Sequence, residues 1–192
     1  MNNRKLCLRV DGASLYFARP DDMRLVYDMM HEDEEIKAIL FYGESEDWDF
    51  EKYQETERKW FPGDESRNAY YLIEHDGEMI GWISHSYNDA KIENMEVDIA
   101  FRSLKHAGKG LGVKIITALI DYAHEKYGIN TFMIRPGKHN KRAIRAYEKC
   151  GFKAAGLFDP NDYYTEEDVL LWGDGDLGVE GTYNMIKVYE EE

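Results

Sequence analysis

Three pieces of the run Met95–Phe152 decide how this chain folds: MEVDIAFRS (95–103), AGKGLGVKIITALIDYAHEKYG (107–128) and NKRAIRAYEKCGF (140–152). The first alternates apolar and polar positions and reads as a strand. Glu96 and Asp98, two residues apart, fall on one face of it. The second opens on glycines, whose backbone N–H groups can meet a phosphate at a helix N-terminus. Its helix runs to Tyr127-Gly128 and buries Leu111, Ile115, Ile116, Leu119, Ala123 and Tyr127. The third begins a helix at Asn140, places Tyr147 within it, and ends at Gly151 in a left-handed cap. Together they read as a site for a nucleotide-type cofactor with a reacting end nearby. The plainer alternative, glycines that only make a tight strand-to-helix turn, stays open at this point.

Outward from this run, turn dipeptides place the remaining elements. Asp76-Gly77 joins NAYYLIEH to EMIGWISHSY as an antiparallel hairpin. Asp11-Gly12 joins Leu6–Val10 to Leu15–Arg19, as a short hairpin or a strand with an N-terminal extension. Pro20-Asp21-Asp22 starts a helix with Met23, Val26, Tyr27 and Met30 on its apolar face. Asp49 caps FEKYQETERKWF, which Pro62-Gly63 ends. Thr131–Ile134 is a short strand, and Lys153–Phe158 and Thr182–Tyr189 read as two final strands. The acidic connection between them, about 159–181, is long enough to carry function or disorder. With 192 residues, 43% of them hydrophobic, one domain over 1–192 is expected, its cofactor-binding core at about 92–152.

Charge is strongly segregated beneath a net of −14. Residues 98–158 carry twelve Lys/Arg against four Asp/Glu, residues 31–65 four against thirteen, and residues 159–192 one against eleven. A basic centre between acidic flanks suits an anionic cofactor and a cationic substrate, although acidic loops also serve solubility. The same flanks would repel a nucleic-acid backbone. No window approaches the roughly 18 apolar residues of a membrane span, and MNNRKLCLRV lacks the core of a signal peptide. A soluble cytoplasmic protein without membrane contact is therefore expected. The two cysteines, Cys7 and Cys150, read as reduced thiols, and no histidine or cysteine spacing suggests a metal.

The glycine turn does not close as Gly-Lys-Ser/Thr, which argues against a Walker A motif, and GKGLG lacks the spacing of a dinucleotide fingerprint. The order of acid-bearing strand, glycine turn with helix, strand, and N-x-x-A-x-x-x-Y-x-K-x-G-F resembles the GNAT family of N-acetyltransferases, over at least residues 78–158. The resemblance implies a mixed, mostly antiparallel central sheet flanked by helices, an α+β fold. It implies acetyl-CoA as cosubstrate, its pyrophosphate on Ala107, Gly108, Lys109, Gly110, Leu111, Gly112 and Val113. Ala107 stands where the family usually has Gln or Arg, which removes a side-chain contact and leaves the backbone donors. Lys109, Lys114, Lys138, Lys141 and Arg142 are the cations available to the CoA phosphates.

Within the family the chain is most similar to aminoglycoside 6′-N-acetyltransferases, in the glycine-turn helix, the Asn140–Phe152 run, the stretch from Asp98, IGWISHSY and ILFYGE. A polycationic amine would suit the acidic flanks. Arg135 departs from that likeness, since those enzymes often carry an acidic residue there facing the drug. An arginine repels a polycation unless it turns away, so acetylation of another amine (a polyamine, a protein N-terminus or a siderophore precursor) stays open. So does a CoA-binding module without catalysis, and the chain is expected as a monomer or homodimer.

Acetyl transfer to an amine needs a base, a carbonyl-polarising group and an acid for the leaving thiolate. Asp98 is the candidate base and ammonium anchor, with Glu96 sharing its strand face. The resemblance assigns the backbone of Ile99, Ala100 and Phe101 to the carbonyl, Tyr147 to the sulfur, and Asn140 and Ala143 to the pantetheine arm. Tyr42, Trp82 and Tyr87 are candidates for the acceptor side, Trp82 and Tyr87 by stacking on sugar rings. Trp82 and Tyr87 are equally explained as core residues, and a tyrosine on an amphipathic helix is usually core, although the motif position of Tyr147 favours the catalytic role. His85 is a second candidate base, with a satisfied sheet histidine as the bland alternative.

Overall fold

The computed structural model describes residues 4–41, 49–170 and 183–190. In chain order these form β1 (Leu6–Val10), β2 (Ala13–Phe17), α1 (Met23–His31), α2 (Glu34–Leu40), α3 (Phe50–Glu57), β3 (Ala69–His75), β4 (Glu78–Asn88) and β5 (Asn94–Phe101). There follow α4 (Leu111–Tyr127), β6 (Thr131–Ile134), α5 (Lys141–Lys149), β7 (Lys153–Ala154), α6 (Pro160–Tyr163) and β8 (Met185–Val188). The strands make one eight-stranded sheet in the order β1-β2-β3-β4-β5-β6-β8-β7. β5 pairs with β6 in parallel, whereas the β1·β2, β2·β3, β3·β4, β6·β8 and β7·β8 pairs are antiparallel. The expected mixed sheet flanked by helices is thus the fold observed.

The chain packs as two compact units, Met1–His85 with Ile99–Ile115, and Ser86–Asp98 with Ile116–Glu192. In the first, the β1–β2 and β3–β4 turns work through left-handed backbone. Asp11 and Gly12 have φ of 48° and 81°, Asp76 and Gly77 of 53° and 80°. Such primed turns match the twist of the strands they join. Residues of β3 alternate across the sheet, and Tyr71, Leu72 and Ile73 are all fully buried, so both faces of that strand are covered. On one face Met23, Val26, Met29 and Met30 of α1 and Tyr53 of α3 pack with Phe61, Leu72, Trp82 and Ala100. On the other, Phe17 lies 5.0 Å from Tyr71 and Tyr71 5.5 Å edge-on from His85. Tyr27 of α1, half-buried, packs against the same cluster as expected of its apolar face. α2, for which the sequence offered no expectation, forms inside the acidic stretch because Asp33 caps it, accepting from the N–H groups of Glu35 and Ile36.

In the second unit, the long helix buries Ile116, Leu119, Ile120 and Ala123. His124 stacks on Tyr189 at 4.2 Å, and Tyr189 meets Phe132 of β6 edge-on at 5.7 Å. α5 closes in a Schellman motif: Gly151 N–H donates to Glu148 O at 3.0 Å and Phe152 N–H to Tyr147 O at 3.1 Å, with Gly151 at φ 90°. The expected strand at Lys153–Phe158 shrinks to Lys153–Ala154, because Gly156, at φ 71°, breaks it. Within the expected last strand, Thr182–Tyr189, the strand observed is Met185–Val188, and Thr182 lies outside the described residues. Phe158, Tyr163, Tyr164 and Val169, which open the acidic connection, pack on Met133 and Ile186. The rest of that connection, 171–182, lies outside the described residues. No helix among the described residues is long and apolar enough to cross a membrane.

Candidate active site

The glycine turn lies within the first unit. After β5 the chain makes a short 3-10 turn at Leu104–His106, closed by Ala107 N–H on Leu104 O at 3.0 Å, and enters α4 at Leu111. Gly108 and Gly110 have φ of 82° and 84°, and a Cβ on either would meet nothing within 4 Å. Left-handed glycines alternating along a turn direct successive N–H groups into one concavity, and the space above it is open. At Gly112 a Cβ would lie 3.4 Å from the Phe101 ring, an ordinary packing contact, so neither space nor backbone demands glycine there. The helix that starts here has 17 residues, so its positive end adds to the anion site. Ala107–Val113 therefore fit a pyrophosphate. Of the expected cations, Lys109, Lys138, Lys141 and Arg142 are exposed, whereas Lys114 is engaged by Asp11 at 2.6 Å.

The carboxylates of β5 belong to the second unit. Asp98 is exposed, while Glu96 is half-buried. Both oxygens of Glu96 are already engaged: Arg135 Nε donates to Oε1 at 2.5 Å and the Tyr164 hydroxyl to Oε2 at 3.0 Å. Arg135 has accordingly turned to Glu96, and its charge meets a carboxylate inside the protein. Tyr147 lies on α5 at 8% exposure. Asn140 is the cap of that helix, its side-chain oxygen accepting from Ala143 N–H at 3.1 Å. Tyr87 donates to Glu93 at 2.5 Å at the exposed end of β4. Tyr42 lies outside the described residues.

Trp82 requires a correction. It is 2% exposed and forms part of the core cluster with Phe61 and Leu72, which leaves no ring face for a sugar. Trp82 pairs with Leu72 across the β3·β4 ladder, and both face α1 and α3, so alternation sends Trp82 inward. Tyr164, which touches Glu96, had no signal in the sequence beyond its place in the acidic connection. Among the described residues no group of three or more His, Cys, Asp or Glu side chains could hold a metal ion.

His85 sits 1% exposed with Nε2 donating to Ser66 O at 3.0 Å, the role of a sheet histidine rather than a solvent-facing base. Burial pushes its pKa down to about 4 and the Ser66 bond offsets this only in part. The unfolded chain therefore binds a proton at this position from about pH 6.5 downward, whereas the folded chain does not until about pH 4. Stability should fall as pH drops through that window and be indifferent to His85 above it. His85→Gln keeps a donor for Ser66 O and should flatten this part of the melting-temperature profile. An unchanged slope between about pH 4.5 and 6.5 would show that other groups dominate.

A family model, "Acetyltransferase (GNAT) domain", matches residues 15–153. The kanamycin resistance protein of Rhizobium radiobacter is 35% identical over 66 residues, 34% of this chain and 61% of that protein. The spermine/spermidine N(1)-acetyltransferase of Bacillus subtilis (strain 168) is 29% identical over 92 residues, 45% of this chain and 60% of that protein. The match thus spans less than two thirds of the length of either relative. Among solved structures, AAC(6')-Ib in complex with ribostamycin and coenzyme A superposes with TM-score 0.67 at 19% identity, over 93% of this chain and 94% of that one. Spermidine N-acetyltransferase from Vibrio cholerae with CoA and spermine gives 0.66 at 17% identity, over 92% and 95%. At such identities these neighbours speak for the fold. A family match across most of the chain, on the mixed sheet and glycine turn described above, makes this chain a member of the GNAT acetyltransferase family.

Proposed function

We propose that this chain is an acetyl-CoA-dependent N-acetyltransferase that acetylates a primary amine of a cationic small molecule, the 6′-amine of an aminoglycoside, in the cytoplasm and as a single catalytic domain. The observation that carries the reading is an exposed carboxylate, Asp98, followed directly by the backbone of Ile99–Phe101 and then by the open glycine turn. The turn takes the pyrophosphate of acetyl-CoA. Asp98 receives a proton from the acceptor ammonium, whose freed lone pair attacks the thioester carbonyl. Backbone N–H groups at Ile99–Phe101 stabilise the tetrahedral oxyanion. As it collapses the C–S bond breaks, Tyr147 gives its proton to the departing sulfur, and the second proton shed by the nitrogen returns the tyrosine to its neutral form while Asp98 releases the first to solvent.

A second acceptor class, the polyamines, is favoured by the engagement of Glu96 with Arg135, which leaves β5 with less carboxylate for a drug bearing many ammonium groups. Free-thiol release from acetyl-CoA with kanamycin, tobramycin and spermidine separates the two. Turnover with the aminoglycosides supports the first reading. Turnover with spermidine alone moves the assignment to the second, and acetyl-CoA binding without turnover of any amine removes catalysis.

Tyr147→Phe should lower kcat by about 10²-fold, as loss of a general acid does, with acetyl-CoA affinity unchanged by calorimetry. Full turnover in that variant would remove Tyr147 from the reaction.

A further inference from the structure

Glu96 stands in register with Met133 across the parallel β5·β6 ladder. Two residues further along each chain come Asp98 and Arg135, so alternation puts all four on one side of the sheet. That side is covered at Met133 by Tyr164, with Phe158, Tyr163 and Val169 around it. The cover carries no basic residue between positions 159 and 170, but five carboxylates, Asp159, Asp162, Glu166, Glu167 and Asp168.

An acidic segment beside Glu96 would be repelled unless a cation intervenes. Arg135 is that cation. Its Nε holds Glu96, and its guanidinium lies 5.5 Å from the centre of the Tyr164 ring, whose hydroxyl returns to Glu96. Arg135 and Glu96 are only 17% and 18% exposed, so solvent screens the pair weakly. The two residues just before Tyr164 are held as well, by Lys91 on Asp162 at 2.5 Å and by Asn94 on Tyr163 O at 2.8 Å. Asp98, two residues along β5 from Glu96, is exposed.

We infer that Arg135 is a positioning residue for acceptor recognition: as the built-in counter-ion of Glu96, stacked on Tyr164, it holds the acidic segment 159–170 against the sheet beside Asp98. Glu96 is then part of the fastening, and the cationic acceptor is selected by Asp98 and the fastened segment. An acceptor meets carboxylates already in place, so their ordering is not charged to binding. This rests on the acetyltransferase reading only for the identity of the acceptor; the fastening itself is independent of turnover.

Hydrogen exchange on the full chain tests it without any substrate. Arg135→Met keeps the aliphatic stem and removes the charge; exchange at 159–170 should accelerate about tenfold while 116–127 in α4 stays as it is. Glu96→Gln combined with Arg135→Met removes both charges and should return exchange most of the way to wild type. Tyr164→Phe, which loses only a hydroxyl, should shift exchange in the same direction by less, and it decides the matter should Arg135→Met fail to fold. In the thiol assay Arg135→Met should raise the acceptor KM about tenfold and leave the acetyl-CoA KM unaltered. Wild-type exchange at 159–170 in Arg135→Met, or faster exchange spread equally over α4, overturns the inference. A chain that transfers no acetyl group to any amine but shows the local exchange change sinks the acetyltransferase reading and leaves the fastening intact.

Discussion

Asp98→Asn should lower kcat/KM for the acceptor amine by roughly 10²–10⁴-fold, the range for a lost general base. An ammonium has no lone pair with which to attack, so the acyl transfer waits on a group that removes its proton. Asparagine has nearly the shape of aspartate but accepts no proton at working pH. The substitution also deletes the charge that holds the ammonium, so part of the loss should appear in the acceptor KM and part in kcat. Because the side chain is exposed on β5, folded stability should move by no more than about 0.5 kcal/mol, and a melt beside the kinetics separates chemistry from unfolding. The acetyl-CoA KM should stay put, since the glycine turn proposed to take the CoA phosphates does not include Asp98. Asp98→Glu restores the charge about one methylene out of place and should recover part of the rate. A rate for Asp98→Asn within about threefold of wild type would mean that water or another group takes the proton.

Features set by local rules were legible in the sequence, whereas features set by partners far along the chain were not. The Asp76-Gly77 hairpin follows from the left-handed backbone its turn needs, and the Asn140 cap and Gly151 stop follow from unsatisfied N–H and C=O groups at helix ends. The glycine turn was readable because Gly108 and Gly110 supply the left-handed backbone that a tight strand-to-helix turn needs. Arg135 shows the opposite case. Its spacing gave only a misplaced positive charge, because Glu96 is 39 residues away and Tyr164 lies in a connection with no periodic pattern. Trp82 failed for a related reason: alternation assigns a residue to a face, but only the packing of α1 and α3 decides which face is covered. α2 was passed over because its acidic composition hides a cap, Asp33, and a single buried anchor, Ile36. The parallel pairing of β5 with β6 sets which carboxylate meets which cation, and register of that kind is not written in either strand alone.

Gly81→Ala should be the most damaging small substitution in the sheet. A Cβ at position 81 would stand 2.3 Å from Ala100 O and 2.9 Å from Phe101 Cα. Both are backbone atoms, so no rotamer change relieves the clash; β5 itself has to move away from β4. The φ of Gly81 is ordinary for a strand, and the demand for glycine is therefore steric rather than conformational. We expect a loss of about 3 kcal/mol, the upper end for overpacking, and hence a melting temperature lower by roughly 6–12 °C in a chain of this size. Gly77→Ala provides the contrast. There φ is 80° but the space around a Cβ is open, so only the left-handed strain of about 1 kcal/mol applies. Function should separate the two variants further. The backbone displaced by Gly81→Ala carries the N–H groups proposed to polarise the thioester, and Arg102 N–H, bonded to Ile80 O at 2.9 Å, links the displaced stretch to β4 just before the glycine turn. The folded fraction of Gly81→Ala should thus show a lower kcat, while Gly77→Ala, in the turn between β3 and β4 and without a clash against β5, keeps the wild-type rate. Equal melting temperatures for the two variants would mean that β5 yields at Ala100 without resistance. In that case the close approach of β4 to β5 could not be what holds the carbonyl-facing backbone in place.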